Sequence, residues 1–257
     1  MGITEPGSGD NLVGAVERAF AVVGVMREEG TVRIDDVSTA LDIPTSTAHS
    51  HLKTLESVGY VVQSNDGYRL SSRFLRDGVT ERQRRNVYRA TRSEIDALAE
   101  TTGEVANLGV EENGQRVILY QAEGTEAVYD NAPIGEHTEM HWTALGKAIL
   151  AHLPTDYVDE VVSVYGLPEA TDNTITSRDG LDSELAQIRD RSYALEDEER
   201  RHGIRSLASP VIVDDDVVGS VSVSGPKERL DDRRIQEELL PKLRNTVNVV
   251  EVKYAYD

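Results

Sequence analysis

The chain has 257 residues, of which 39% are hydrophobic and only 5% aromatic, and its formal net charge is -19. This length favours two domains over one, and the absence of cysteine excludes disulfides, thiolate catalysis and zinc sites with cysteine ligands. No apolar run approaches the roughly 18 residues of a membrane span, and the first ten residues lack the apolar core of a signal peptide, so we expect a cytoplasmic protein without a membrane partner.

Two amphipathic helices are predicted at the start of the chain. In residues 11–29 apolar side chains recur at helical spacing, and the pattern stops at Gly30. A second helix of two to three turns is predicted next, because Ile34, Val37 and Leu41 share one face. Each helix therefore has one face to bury against a common core.

Residues 42–60, DIPTSTAHSHLKTLESVGY, predict a third helix that begins near Pro44. Its apolar residues Ala48, Leu52 and Leu55 lie on one face. The opposite face carries a polar stripe at positions i, i+3, i+4 and i+7, which consists of Ser46, His49, Ser50 and Lys53.

A β-hairpin is predicted after this helix, since YVVQSNDGYRL places two β-prone arms around Asn65-Asp66-Gly67. Three helices and a small hairpin form the order of a winged helix-turn-helix, in which the second helix of the pair enters the major groove of DNA. Hydroxyls and imidazoles can bond to phosphates or base edges, and a lysine neutralises a phosphate. A helix cap with a solvated surface is the alternative interpretation. The predicted DNA contacts are Thr45, Ser46, His49, Ser50, Lys53, Tyr68 and Arg69.

Residues 71–102 continue with a helical pattern, and we expect a linker helix that packs against a partner chain. Its middle part is basic, and its arginines are candidates for contacts with the DNA backbone. A solvated charged helix is the alternative for each of them. The arginines in question are Arg82, Arg84, Arg85 and Arg89.

Beyond Glu104 the pattern changes to strands mixed with helices. Strands are predicted in EVANLGV and RVILYQAE, helices in WTALGKAILAHL and GLDSELAQIRDRSY, and a hairpin around the acidic turn 214–216. A closing helix is predicted over roughly 231–252. Because this order has no repeating βαβ period, it predicts an α+β domain with an antiparallel sheet.

The negative charge is confined to the second part of the chain. Residues 1–92 contain twelve acidic and twelve basic residues, whereas the remainder contains 34 acidic and 15 basic ones. Of the 27 basic residues in the whole chain only five are lysines. Abundant carboxylates with scarce lysine are typical of cytoplasmic proteins in organisms that keep molar salt inside the cell, where such self-repulsion is screened to about 3 Å. An ordinary acidic surface that aids solubility is the alternative.

Together these segments resemble transcriptional regulators of the IclR family over nearly the whole chain. The resemblance is carried by the helix-turn-helix IDDVSTALDIPTSTAHSHLKTLESVGYV and by HWTALGKAILAHLP, YALEDEERRHGIRSLASPV and VSVSGP, in the family's order and spacing. It implies a winged helix-turn-helix domain over 1–70, a linker helix over 71–102 and a GAF-like effector-binding domain over 103–257. It also implies a homodimer or a dimer of dimers on a palindromic double-stranded DNA operator, and a small-molecule effector such as a sugar acid, an aromatic acid or another short carboxylate from a catabolic pathway.

The resemblance also implies an effector pocket. Hydroxyls and backbone amides suit a carboxylate, and a helix starting near Thr143 offers such amides. Ser222 and Ser224 share one face of a strand, although a solvated sheet face is the alternative. The family commonly has cysteine where this chain has Ser206, and aspartate where it has Glu196. Carried over by position, the pocket comprises Trp142, Ala144, Leu145, Gly146, Glu196, Ser206, Ser222 and Ser224.

Enzyme and metal functions are weighed against this interpretation. His137, Glu139 and His141 are potential metal ligands, but they lack the HExxH spacing, and whether they bind metal is left open. Neither pocket serine lies in a Gly-x-Ser-x-Gly elbow, so we expect neither an enzyme nor a cofactor. The remaining alternative is a ligand-independent winged-helix protein whose second domain serves only oligomerisation or partner binding.

Overall fold

The computed structural model describes residue 3, residues 12–128 and residues 132–256. Its internal contacts divide the chain into two compact units, one ending at Arg82 and the other containing residue 3 and everything from Gln83 onward. The start of the predicted domain 1–70 and the last residue of the predicted domain 103–257 lie outside the described residues. The same holds for nearly all of the first ten residues, which were predicted to lack the core of a signal peptide. None of the helices in the described ranges combines the length and the hydrophobicity that a membrane span requires.

The first unit contains the predicted three helices and hairpin. The helices bury one face each around a small core, whose largest fully buried members are Met26 and Leu52. Gly30 ends the first helix with φ 80°, a conformation that a side chain disfavours. The two strands pair antiparallel through the two-residue turn Asn65-Asp66. The elements are α1 (Gly14–Glu29), α2 (Ile34–Ala40), α3 (Thr45–Ser57), β1 (Val61–Ser64) and β2 (Gly67–Leu70).

The predicted linker helix over 71–102 is two helices, α4 (Arg73–Arg84) and α5 (Asn86–Thr102). The chain breaks at Arg85, whose backbone is extended with φ -79° and ψ 117°. The division between the two units falls next to this break, at the end of α4. The apolar face of α5, which includes Val87 and Ile95, is buried within the second unit. The apolar face of this half of the linker is therefore covered by its own domain and is not left for a partner chain.

The second unit is built on one antiparallel sheet with the strand order β5-β4-β3-β8-β7-β6. The predicted strands, the two predicted helices and the acidic hairpin turn all occur, and α7 is an additional helix that the sequence pattern did not indicate. The elements are β3 (Val105–Glu112), β4 (Gln115–Glu123), β5 (His137–Thr138), α6 (Ala144–Leu150), α7 (Thr155–Tyr165), α8 (Arg178–Arg191), β6 (Ala194–Asp197), β7 (Ile204–Val213) and β8 (Asp216–Pro226).

The closing helix begins with a short turn, α9 (Asp232–Arg234), passes through a π-helical turn (Ile235–Leu239) and continues as α10 (Leu240–Tyr256). Helices α5 and α10 cover one face of the sheet, and α6 with α7 and α8 covers the other. Successive side chains of β8 point to opposite faces of the sheet. Val221 and Val223 enter the core formed with α5 and α10, whereas the Ser220 hydroxyl donates to the Leu145 carbonyl of α6 at 3.0 Å. The domain has the predicted α+β architecture, and its serine-bearing face is buried between the sheet and α6.

Candidate functional site

Helix α3 presents its predicted polar stripe to solvent. Ser46, His49, Ser50 and Lys53 are exposed, and so is Thr45 at the first position of the helix, whereas Ala48 and Leu52 on the opposite face are fully buried. The Ser50 hydroxyl donates to the Ser46 carbonyl at 2.9 Å, so that hydroxyl has a local partner in the absence of DNA. The surface is polar, and it holds groups that can bond to phosphates and base edges.

Lys53 lies where the helix approaches the hairpin. Its ammonium contacts Glu56 Oε2 at 2.8 Å and Gln63 Oε1 of β1 at 2.9 Å. The hydrogen bond to Glu56 raises the pKa of Lys53 above its usual value, so the side chain stays charged at neutral pH. Its charge is shared with Glu56, and contact with a phosphate would require it to turn away from that carboxylate.

Tyr68 and Arg69, two predicted DNA contacts on β2, differ in their exposure. Arg69 is exposed, but Tyr68 is only 4% exposed and packs in the core of the first unit. Its backbone also pairs with Val32. Tyr68 therefore supports the hairpin from beneath, because successive side chains of a strand point to opposite faces. Its contact with DNA stays a prediction, which this burial does not favour.

Two of the four arginines of the predicted linker have partners within the second unit. Arg85 contacts the Glu112 carboxylate of β3, and Arg89 donates to Asn86 Oδ1 at 2.9 Å. Both contacts lie inside the second unit, so these two guanidiniums already have local partners. Their assignment to the DNA backbone stays a prediction.

A small cavity of about 30 Å³ lies between the sheet and α6 of the second unit. Six of the eight predicted effector residues line it, and they are joined by four polar residues outside that list, Asn107, Arg116, Thr143 and Arg200. Its volume is room for about one water molecule. The predicted residues that line it are Ala144, Leu145, Glu196, Ser206, Ser222 and Ser224.

Buried polar groups, rather than a solvated surface, form the floor of this cavity. Ser222 and Ser224 are 2% and 6% exposed, and the Asn107 amide lies 3.4 Å from each hydroxyl oxygen. Gln121 donates to Asn107 Oδ1 at 2.9 Å, which fixes the orientation of that amide. The structure excludes the solvated sheet face that was the alternative for the two serines.

Glu196 is the buried carboxyl of the cavity. Its Oε2 accepts from the Ser206 hydroxyl at 2.6 Å, and its Oε1 accepts from the backbone amides of Glu199 and Arg200 at 3.1 and 3.4 Å. Burial raises the pKa of Glu196 to about 7, although these hydrogen bonds act in the opposite direction. Near neutral pH the group can therefore offer either a proton donor or an acceptor to a bound molecule.

Glu196→Gln should remove a pH dependence of stability. Because the pKa of Glu196 is about 7 in the folded chain and about 4.3 in an unfolded one, the folded state binds the proton more tightly, and stability is lost as pH rises through this window. The difference in unfolding free energy between variant and wild type should move in favour of the variant from pH about 4.5 to about 7 and then level off. Urea denaturation followed by the fluorescence of Trp142, the single tryptophan, measures it. A difference that is constant with pH would contradict the assignment.

An ion cluster adjoins this carboxyl on α6. Lys147 is 1% exposed, and its ammonium contacts the Leu195 carbonyl at 2.7 Å, Glu199 Oε1 at 2.5 Å and Glu184 Oε1 at 3.5 Å. Burial raises the pKa of Glu199 in spite of the lysine beside it. The backbone amide of this same Glu199 bonds to Glu196, so the cluster helps to hold the cavity carboxyl in place.

Trp142 and Gly146 do not line the cavity among the described residues. The Trp142 indole donates to the Thr138 hydroxyl at 3.1 Å. A Cβ on Gly146 would lie 2.2 Å from the Met140 carbonyl oxygen, so the glycine is required there by the close approach of the Met140 backbone. Thr143 caps α6 by accepting from the Gly146 amide at 2.9 Å, which occupies one amide at the start of that helix.

The potential metal ligands point to separate partners. The His137 ring lies 3.5 Å from Glu112, and the His141 ring bonds to the Pro168 carbonyl at 3.0 Å. Glu139 accepts from the Thr138 hydroxyl, and burial lowers the pKa of His141. Over residues 12–128 and 132–256, the structure has no group of three or more His, Asp or Glu side chains placed to hold a metal ion.

Comparison with known proteins covers both units. The family model described as "Bacterial transcriptional regulator IclR C-terminal" matches residues 80–252, and the one described as "IclR helix-turn-helix domain" matches residues 15–65. The probable HTH-type transcriptional regulator ArcR of Halobacterium salinarum is 34% identical over 244 residues, which is 93% of each chain. The HTH-type transcriptional regulator XynR of Escherichia coli is 31% identical over 87% of this chain and 90% of its own.

Solved structures share the same architecture. The Thermotoga maritima IclR structure matches with a TM-score of 0.81 and 25% identity, covering 95% of this chain and 99% of that one. An IclR homolog from Microbacterium hydrocarbonoxydans, solved in complex with 4-hydroxybenzoate, matches with a TM-score of 0.82 and 21% identity over 95% and 100% of the two chains. The second unit accordingly has the GAF-like fold of these proteins.

The curated relatives are transcriptional regulators and not enzymes. The C-terminal family model alone spans more than half of the chain, and the helix-turn-helix model covers the three helices of the first unit. The protein therefore belongs to the IclR family of helix-turn-helix transcriptional regulators.

Proposed function

We propose that this regulator binds a palindromic operator as a homodimer or a dimer of dimers and senses a small organic acid in the cavity of its second domain, thereby controlling a catabolic operon. The main support for this proposal is the polar composition of the cavity in the second domain. The cavity combines guanidinium, hydroxyl and amide groups with a buried carboxyl, between the sheet and α6. A purely structural core has no use for so many polar side chains at one place, since each must be satisfied on burial.

The chemistry of the cavity favours an organic acid. Arg116 and Arg200 supply positive charge, and guanidinium groups match carboxylates in a bidentate arrangement. The serine hydroxyls and Asn107 can bond to hydroxyl or keto oxygens of the same molecule. A cavity of about 30 Å³ is far below the several hundred Å³ of typical ligand sites, so we expect side chains to move when an effector enters.

The first domain supplies the DNA-binding half of the proposal. Two copies of α3 would place Ser46, His49 and Ser50 in the half-sites of a palindrome. Apolar residues exposed on α1 and α4, Phe20 and Leu75 among them, favour a second copy as their partner. In our proposal, effector binding changes the spacing of the paired winged domains through the 71–102 segment, and the changed spacing alters operator affinity.

Specific binding to an operator tests this function directly. The purified protein is titrated, in about molar potassium chloride, against labelled DNA from just upstream of its own gene, with a scrambled duplex of equal length as control and fluorescence anisotropy as readout. We expect a clear preference for the native duplex, and a carboxylate panel that includes sugar acids and aromatic acids should contain compounds that change this affinity. Equal affinity for both duplexes, followed by failure of a genome-wide fragment selection, would contradict the DNA-binding proposal.

A panel without effect would favour the ligand-independent alternative. In that case the second domain would serve oligomerisation or partner binding alone. The same panel applied to thermal unfolding separates the two proposals, because a ligand that binds the folded state raises the unfolding temperature whether or not it acts on DNA.

Salt dependence provides a further prediction. We propose that the protein works at high internal salt, as its 46 acidic residues against five lysines and its similarity to a Halobacterium salinarum protein suggest. A protein with about six phosphate contacts loses roughly five decades of affinity per tenfold rise in salt. We therefore expect a shallower slope and specific anisotropy binding that persists in molar potassium chloride. A steep slope, with no specific binding left at molar salt in a folded sample, would contradict the high-salt assignment.

A further inference from the structure

Glu136 places a carboxylate between the two arginines of the cavity. Its Oε2 lies 3.7 Å from Arg116 Nη2 and 3.8 Å from Arg200 Nη2. Both distances are ion-pair distances but exceed the reach of a hydrogen bond. The same Oε2 is buried and has no hydrogen bond to the residues that the structure describes. The arginines thus hold an internal anion by charge, without the bidentate geometry that a guanidinium can give a carboxylate.

The position of Glu136 follows from the pairing of β4 and β5. Arg116 and Thr138 are Cα partners across these strands, and the Gly135 amide donates to the Ile118 carbonyl at 2.8 Å. The backbone on both sides of Glu136 is therefore anchored beside Arg116, which is itself only 2% exposed. The Glu136 side chain is 29% exposed, so it can turn outward while the backbone stays in place.

The size of the cavity makes this movement relevant. The cavity has a volume of about 30 Å³, which accommodates a water molecule but no organic acid. Glu136 is not one of its lining residues, but its carboxylate contacts two residues that are, Arg116 and Arg200. When the Glu136 carboxylate turns away, it leaves a space of its own size, and its ion pairs with Arg116 and Arg200 are broken. An entering carboxylate can form hydrogen bonds to the two arginines, which Glu136 Oε2 does not form. This exchange is favourable because a buried oxygen without a hydrogen bond is destabilising.

We propose that Arg116 and Arg200 bind the carboxylate of the effector and that Glu136 occupies this place in its absence, so that binding exchanges an internal carboxylate for an external one. This inference rests on the proposed function, because it takes the cavity to be the effector site. The other cavity groups, Asn107 and the serines of β7 and β8, bond to hydroxyl or keto oxygens. The ligand class is therefore a hydroxylated or keto carboxylic acid, and neutral sugars and amides are excluded.

A variant that lacks the internal carboxylate tests the exchange without knowledge of the natural effector. Glu136→Ala removes the carboxylate and one methylene group, which frees the two guanidiniums for a short carboxylate such as propionate. Propionate should therefore bind the variant at least about tenfold more tightly than the wild type, which corresponds to about 1.4 kcal/mol. Binding is measured by Trp142 fluorescence and by calorimetry at constant ionic strength, with propionamide as the uncharged probe. Glu139→Ala is the matched control, because Glu139 lies three residues away and its hydrogen bond is to Thr138.

A second substitution identifies the receiving groups. Arg200→Gln in the Glu136→Ala background should abolish the gain in propionate affinity, and this arginine is preferred to Arg116 because it is 21% exposed and its loss is less disruptive. If Glu136→Ala does not fold, Glu136→Gln takes its place and should still bind propionate more tightly than the wild type, since the competing charge is gone.

The carboxylate exchange and the proposed function are tested independently. Equal propionate affinity in wild type and Glu136 variants, or a gain that propionamide or Glu139→Ala reproduces, would overturn the exchange while leaving operator binding by the wild type as it was. Absence of specific operator binding would remove the proposed function and would not affect a propionate gain that depends on Arg200.

Discussion

Replacement of Lys147 by methionine should lower the free energy of unfolding of the second domain by about 3–5 kcal/mol, the range measured when one partner of a buried ion pair is removed. Methionine keeps the length of the side chain up to its ε carbon, so the effect mainly reports the removal of the ammonium. Lys147 is 1% exposed and contacts two carboxylates and the Leu195 carbonyl. Without it, Glu199, which is 11% exposed, is deprived of its closest cation.

Urea denaturation followed by Trp142 fluorescence measures this destabilisation in the full chain. The single tryptophan lies five residues before Lys147, so its signal reports the unit that contains the substitution. The destabilisation should shrink as pH falls, because Glu199, whose pKa burial already raises, takes up a proton and no longer needs a cation. This pH signature separates a missing charge from a general packing defect.

Lys253→Met is the matched control for Lys147→Met. Lys253 pairs with Glu94 at 2.6 Å, but its side chain is 43% exposed, and exposed ion pairs contribute about 0–1 kcal/mol. Equal destabilisation by the two substitutions would contradict the importance of the buried cluster. Because the Glu199 amide bonds to Glu196, we also expect Lys147→Met to disturb the cavity.

Local periodicity was enough to predict the elements that support the sites. The alternation of valine and serine along β8 correctly separated Val221 and Val223 from Ser222 and Ser224, because a strand turns successive side chains to opposite faces. The same rule, applied to the two neighbours Tyr68 and Arg69 on β2, would have shown that their side chains point to opposite faces of the hairpin. The helical repeat of α3 likewise separated its buried face from its polar stripe.

Other features depend on pairing between distant segments and left no local signal. Arg116 lies at the start of a strand and looks like a surface residue, yet it is buried where β4 pairs with β5. Asn107 is a polar residue within an apolar strand, which is a weak signal, but only its register opposite Ser222 shows which groups it meets. The break at Arg85 contains neither glycine nor proline, so two helices in succession had the pattern of one.

Substitution of the polar stripe on α3 should weaken operator binding strongly and leave the fold intact. Ser46→Ala and His49→Ala should each cost about 1–3 kcal/mol of specific binding for every hydrogen bond to a base that the substitution removes. Both residues are exposed, and alanine is the most favourable residue in a helix, so the domain should remain folded. Anisotropy titrations with the operator and with scrambled DNA measure the effect, which should appear mainly with the operator because base contacts, and not phosphate contacts, carry the sequence information.

The double variant Ser46→Ala/His49→Ala tests whether the two residues read the operator together. They lie one helical turn apart, so their effects need not add, but the combined decrease in affinity should exceed that of either change alone. Glu29→Ala, at the exposed end of α1, is the control that alters the charge of the same domain away from the stripe. A double variant that loses no more operator affinity than Glu29→Ala would show that α3 does not read the operator through this face. A decrease that is equal on operator and scrambled DNA would assign the stripe to the phosphate backbone, and sequence recognition would then have to reside in Arg69 and the hairpin or in the shape of the DNA.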